Sequence, residues 1–315
     1  MADKVATRVA YGDALAALGE KYPNIVALDA DLSKSTMTVT FAKKFPARFF
    51  QMGIAESDMV DTAAGLAACG KLPFVSTFAI FASRGWEQIR NVVSRAKLPV
   101  IFALTHAGVS VGEDGASAQA NEDIAIFRVV PHMRVIVPAD AAETQSCLEY
   151  LVTHVDGPAF VRLGREKVPA VCPPGYRFEL GKALTLQDGA DVTLIACGAM
   201  VSVALEAAKL LAAKGIRARV LNMASIKPID RDAIHAAATQ TAGIVTAEEH
   251  SIIGGLGGAV AEVVSENSPC PVLRVGMPDT FGESGKPAEL LKKYGHTAEK
   301  IAECAEKIMA RRRRA

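Results

Sequence analysis

The chain has 315 residues, of which 50% are hydrophobic and 22% charged, enough for a sizeable core in two domains of ordinary size and too apolar for a disordered chain. Its 35 Lys and Arg stand against 34 Asp and Glu, a net charge of +1 that argues against a nucleic-acid partner. No apolar run reaches the ~18 residues of a membrane-spanning helix, and Met1–Thr7 is polar, without the apolar core of a secretory leader.

Six cysteines, Cys69, Cys147, Cys172, Cys197, Cys270 and Cys304, stand far apart with no C-x-x-C pair. That spacing argues against a zinc site or disulfide framework, so a reducing, cytoplasmic location is expected.

In chain order, Asn24–Asp29, Arg48–Met52, Phe74–Phe78, Pro99–Leu104, Arg134–Val137 and Ala159–Leu163 read as strands. They are nearly continuous apolar runs, the pattern of a sheet covered on both faces. Helices are predicted over Asp58–Cys69, Trp86–Ala96 and Ala141–Thr153, the last capped by Asp140. Arg8 is placed just before a first helix. Arg165–Gly181, with Pro169, Pro173, Pro174 and Gly175, reads as a linker. The alternation then resumes with strand Val192–Ala196, helix Val201–Lys214, strand Arg219–Asn222 and helix Asp230–Thr239. Strand Gly243–Thr246, helix Leu256–Glu266, strand Val272–Val275 and helix Thr297–Met309 follow. The expectation is an α/β protein of two doubly wound domains with mainly parallel sheets, residues 1–168 and 185–315, joined by a linker at 169–184.

Ligands of such sheets bind beyond the carboxyl ends of the strands. Glu56 follows the second strand, just ahead of an Ala-rich helix. It reads as a shielded general acid/base or as an ordinary first-turn carboxylate favoured by the helix dipole. Phe78, Phe81 and Trp86 concentrate aromatics in a chain with only 6% of them, suiting either a flat heterocycle or the core. The loop Thr105–Gly115 carries His106, Glu113 and Asp114 and reads as a substrate loop or a solvated one. Asp29–Ser35, Arg8 and Gly164-Arg165 offer hydroxyls and guanidinium forks of the kind that hold phosphate, or ordinary ion-pair partners. Gly254-Gly255-Leu256-Gly257-Gly258 lacks G-x-G-x-x-G spacing and reads as close helix–strand packing. Arg311–Arg314 reads as a solvated tail.

Taken together, these segments resemble the thiamine-diphosphate-dependent transketolases. The resemblance is carried by Ala6-Thr7-Arg8-Val9-Ala10-Tyr11-Gly12, Asp29–Ser35, Gly53–Glu56, Thr77–Arg84, Gly112–Gly115 and Phe281-Gly282-Glu283-Ser284-Gly285, in the family's order. It covers the carboxyl-terminal half of a full-length transketolase and essentially all of this chain. It implies a pyrimidine-binding domain followed by the transketolase C-terminal domain, as in the second subunit of a split transketolase. The resemblance further implies thiamine diphosphate, with Mg²⁺ or Ca²⁺ held by an N-terminal subunit that carries the missing Gly-Asp-Gly motif. An α2β2 heterotetramer, sugar-phosphate substrates, and no nucleic acid or membrane partner are expected with it.

Site roles follow from the same resemblance. Glu56 matches the glutamate that hydrogen-bonds the cofactor's aminopyrimidine nitrogen and so favours its imino tautomer. Phe78 and Phe81 match the aromatics that pack on that ring. Arg84 stands where some members have Tyr, and Asp31 matches an acid near the cofactor. Asp114 matches the contact to the donor's hydroxyls, and Arg8, Ser35, His106 and Arg165 match the positions that hold a sugar phosphate. No metal ligand is expected on this chain. Many members have His at the position of Ala118, and some active ones have Gln; Ala can neither donate, accept nor transfer a proton. Acid/base work then falls to Glu56, and to His106 or the cofactor's own amino group.

The reaction implied is transfer of a two-carbon ketol unit from a ketose phosphate to an aldose phosphate. The alternatives are a subunit like 1-deoxyxylulose-5-phosphate synthase, one like the β subunit of a 2-oxo acid dehydrogenase, a transketolase for an unusual sugar, or a non-catalytic binding homologue. No role is assigned to His250 or His296.

Overall fold

A computed structural model describes residues 4–312. Its strands are β1 (Val5–Ala6), β2 (Ile25–Asp29), β3 (Phe49–Gln51), β4 (Leu72–Ser76), β5 (Ile101–Leu104), β6 (Arg134–Ile136), β7 (Ala159–Arg162) and β8 (Lys167–Val168). There follow β9 (Leu184–Gln187), β10 (Val192–Ala196), β11 (Ala218–Asn222), β12 (Ser225–Lys227), β13 (Ile244–Ser251) and β14 (Val272–Met277).

A seven-stranded sheet has the order β12-β6-β7-β5-β4-β2-β3, and a five-stranded sheet the order β14-β13-β10-β11-β9. Both are parallel except at one edge, where β12 and β9 run antiparallel. Every residue of β2, β4, β5, β7 and β10 is buried. This is why those segments read as unbroken apolar runs: helices cover both faces. The helix Ala141–Thr153 starts where expected, because the Asp140 carboxylate accepts the Glu143 N–H at 2.9 Å. Asp230 caps the helix Arg231–Gln240 in the same way, accepting the Ala233 N–H at 3.0 Å.

The fold corrects several sequence-based placements. Arg8 lies inside the helix Thr7–Lys21, and Glu56 is the first residue of the helix Glu56–Ala68. The Trp86–Ala96 stretch turns as an α-helix over Trp86–Gln88 and then widens to a π-helix over Ile89–Ser94. The segment after Arg165 includes β8, which pairs with β1 across the chain, and Leu184 already belongs to β9. Arg311 and Arg312 continue the last helix; Arg313 and Arg314 lie outside the described residues. β12 was not anticipated at all. It leaves the second half of the chain to pair with β6 of the first sheet, and Lys227 Nζ donates to the carbonyls of Arg128 (2.8 Å) and Val130 (2.6 Å).

One apolar cluster runs through both halves, joining Val26, Phe102 and Phe160 to Ile195, Leu221 and Val260. Phe127 stacks on Phe160 with ring centroids 4.2 Å apart. The two sheets therefore bury their facing helices against a common core, and the carboxyl ends of β2, β3, β4, β5 and β7 hold fixed positions relative to the second half.

Candidate active site

Five adjoining strands of the seven-stranded sheet, β7-β5-β4-β2-β3, each deliver one of the predicted segments at their carboxyl ends. β3 leads to Glu56, β4 to Phe78, Phe81 and Arg84, β5 to His106 and Asp114, β2 to Asp31 and Ser35, and β7 to Arg165.

Glu56 is 4% exposed at the first turn of its helix, where the dipole favours negative charge. Its Oε1 accepts a hydrogen bond at 3.0 Å from Nη1 of Arg84, whose side chain is 54% exposed. The Arg84 guanidinium also lies over the Phe81 ring, 4.9 Å from its centroid. Phe81 stacks on Phe78 at 5.4 Å with 12° between planes, and Phe78 stacks on the His106 imidazole at 3.7 Å and 19°. A buried carboxylate thus adjoins a run of parallel flat rings. A planar heteroaromatic with a ring nitrogen that accepts from a carboxyl suits this pairing of buried carboxyl and aromatic rings. The residue types present therefore fit an aminopyrimidine, with the Arg84 guanidinium now on the Glu56 carboxyl.

The second group is cationic. Arg8 Nη1 donates to the Ser35 carbonyl at 2.7 Å, while its Nε is buried without a hydrogen-bond partner. Burial and the nearby Arg165 lower the pKa of Arg8. Burial first, then Arg8 and Arg165, push the His106 imidazole down to about 3. Two guanidinium groups and an imidazole held toward its neutral form thus stand close enough to influence one another, a grouping whose chemistry suits an anion. His106 Nδ1 is 2.8 Å from Thr105 Oγ1, and its backbone sits in the left-handed region at φ 57°, a strained conformation that recurs at ligand sites. Ser35 contributes its carbonyl to Arg8 rather than the hydroxyl that its residue type suggested.

Asp114 is drawn toward this group, its Oδ1 3.5 Å from Arg165 Nη1. Asp31 is exposed at the edge of the site, in the left-handed region at φ 61°, its N–H bonded to Gln51 Oε1 at 2.6 Å. Ala118 is buried at 7% exposure, so the departure at this position puts a methyl group in place of a polar side chain.

Sequence reasoning missed the supports. Asp29, fully buried, accepts from Thr36 Oγ1 (2.6 Å), Leu32 N (2.6 Å) and Thr38 Oγ1 (2.9 Å), and so shapes the turn that presents Asp31 and Ser35. Gln119, 3% exposed, bonds three carbonyls around the Asp114 loop. Asp29 was legible as a polar residue ending an apolar strand; Gln119 carried no such signal.

The chain matches the family described as transketolase, pyrimidine binding domain, over residues 3–171, and transketolase, C-terminal domain, over residues 181–301. It is 50% identical over 299 residues to a putative transketolase C-terminal section of Methanocaldococcus jannaschii, covering 94% of this chain and 93% of that one. It is 40% identical over 306 residues to a 6-deoxy-6-sulfo-D-fructose transketolase subunit of a Clostridium species, covering 97% and 95%. Among solved structures, a split gene transketolase described as an inactive beta4 tetramer superposes with a TM-score of 0.89 at 52% identity, covering 98% of this chain and 99% of that one. The chain belongs to the transketolase family.

Proposed function

We propose that this chain is the C-terminal subunit of a split transketolase that moves a two-carbon ketol unit from a ketose phosphate to an aldose phosphate, using thiamine diphosphate shared with an N-terminal subunit. The observation that carries the reading is the adjacency of the two groups above: a buried carboxylate facing stacked aromatic rings, beside a cluster of two Arg and one neutral His.

When bound, the cofactor would supply an electron sink for cleaving and remaking a carbon–carbon bond. Glu56 would hold the ring nitrogen of the aminopyrimidine through its carboxyl, in competition with Arg84, which bonds Oε1. Phe78 and Phe81 would fix the plane of that ring and exclude water from the Glu56 carboxyl. Arg8 and Arg165 would bind the substrate's phosphate, and Ser35 would hold Arg8 in place through its carbonyl. Asp114 would accept hydrogen bonds from donor hydroxyls. His106 would offer its free ring nitrogen to the substrate as donor or acceptor, and its charge state would rise only with an anion beside it. Asp31 would stand at the rim toward the cofactor. The diphosphate and its Mg²⁺ or Ca²⁺ would be held by the partner, which makes the active site an interface of an α2β2 assembly.

The test is to purify the chain alone and together with an N-terminal partner chain. Each is then assayed for turnover of xylulose 5-phosphate with ribose 5-phosphate in the presence of thiamine diphosphate and Mg²⁺. Turnover by the complex and none by the chain alone is expected; robust turnover by the chain alone, or none by the complex, overturns the reading.

A transketolase for an unusual sugar is favoured by the buried Ala118, where many members have His, and by the Clostridium relative named for a sulfonated sugar. Two guanidinium groups would hold a sulfonate as well as a phosphate. Preference for 6-deoxy-6-sulfofructose in the same assay would select this reading.

A further inference from the structure

We propose that Ser284 and Gln119 are positioning residues, through which the second half of the chain sets the place of Asp114 against the donor sugar. The proposal rests on the functional reading above and deepens it.

The segment Val109–Asp114 is a short 3₁₀ stretch kinked at Gly112 (φ 82°, ψ −122°) and flanked by Gly108 and Gly115, both with positive φ. Such a backbone has little conformational preference of its own and takes the shape its contacts impose. From the first half, Arg165 donates to the Val111 carbonyl at 2.5 Å. Its other braces come from Gln119, itself bonded to the Glu283 carbonyl, and from residues beyond 248. Ser284 Oγ donates to the Glu113 carbonyl at 2.7 Å, one residue from Asp114. Gln119 Nε2 links the Glu283 carbonyl (2.8 Å) with those of Val109 and Gly112 (3.3 Å each). Glu249 Oε1 accepts the Ser110 N–H at 2.7 Å. Gly112 packs against Pro287, where a Cβ would stand 2.9 Å from Pro287 Cγ. Gly282 leaves room for Gln119, since a Cβ there would collide with its Oε1. The 282–287 segment is itself anchored, because Leu290, in the helix that follows, is buried with Val109 and Met277. The loop that carries Asp114 is therefore held between the two halves of the chain, and Ser284 is its nearest exposed support.

Loss of this support lets Asp114 drift, and misplacement of about 1 Å can cost up to 10²-fold in rate. The effect is confined to donors that need Asp114. The experiment compares wild-type and S284A complexes, each with the partner chain, on two donors. Xylulose 5-phosphate carries secondary hydroxyls; hydroxypyruvate yields the same two-carbon unit with loss of CO2 and carries none. S284A is expected to lower kcat/KM about tenfold on xylulose 5-phosphate, to stay within twofold of wild type on hydroxypyruvate, and to keep its Tm and cofactor affinity; S284T is expected to recover most of the loss. Equal losses on both donors, or none on either, overturn the positioning role. A wild-type complex inactive on both donors overturns the functional reading instead.

Discussion

The two sheets share one architecture and differ at their carboxyl ends. In the second, a glycine-rich turn opens the helix Leu256–Asn267, and its free N–H groups are already taken. Glu248 of β13 accepts those of Leu256 and Gly257 at 2.6 and 2.7 Å. Gly255 and Gly257 are glycines because Glu248, His250, Thr246 and Arg274 press against them. Burial pushes the Glu248 carboxyl up to about 7, and the His250 and His296 rings beside it are buried and held toward their neutral forms. In the first sheet, Glu56 meets a half-exposed Arg84, Arg8 and Arg165 stand near each other, and Asp114 remains partly exposed. This strand end of the second sheet is filled by the chain's own carboxylate, whereas the first sheet gathers Glu56, Arg8, Arg165 and Asp114 at its strand ends.

This contrast can be broken in three ways. The largest effect is expected in the second sheet. E248A leaves two buried N–H groups without acceptors, at about 1–3 kcal/mol each, and should lower stability by about 2–6 kcal/mol in urea unfolding. Turnover per folded molecule should not change; a selective loss of activity would place Glu248 in the functional site. The next effect lies in the first sheet. R165A removes one charge-assisted contact worth about 1.5–3 kcal/mol, so the KM for a phosphorylated donor should rise about tenfold or more with stability little altered. An unchanged KM would remove Arg165 from the anion site. The smallest effect concerns the ion pair of Arg84 with Glu56. With its Arg84 side open to water the ion pair is worth about 1 kcal/mol, so R84M should tighten thiamine diphosphate binding to the complex about two- to fivefold, read from Trp86 fluorescence or calorimetry. Weaker binding would show that Arg84 contacts the cofactor instead of yielding to it.

The sequence made the parallel sheets and the strand-end segments legible for a physical reason. Strands such as Ile25–Asp29 and Val192–Ala196 are buried on both faces, so their apolar runs are continuous and their ends abrupt. The edges were not legible. Leu184–Gln187 and Ser225–Lys227 are short and antiparallel, and the latter pairs with a strand some 90 residues away, so no local pattern announces it. Arg8 was placed ahead of a helix that in fact begins at Thr7, since no side-chain cap marks that start. Glu56, Phe78, Phe81, His106 and Asp114 stood out through residue type and position after a strand. Gln119 and Ser284 did not, because their role depends on a contact between residues 164 or more apart in the chain.

In the proposed function, Glu56 of this chain activates a cofactor that a partner chain completes. The most direct test is the turnover of the complex carrying E56A, with assembly verified by size-exclusion chromatography. A general acid/base contact of this kind is worth about 10²–10⁴ in rate. A fall of at least about 100-fold with the complex intact is expected; turnover equal to wild type would remove Glu56 from this role.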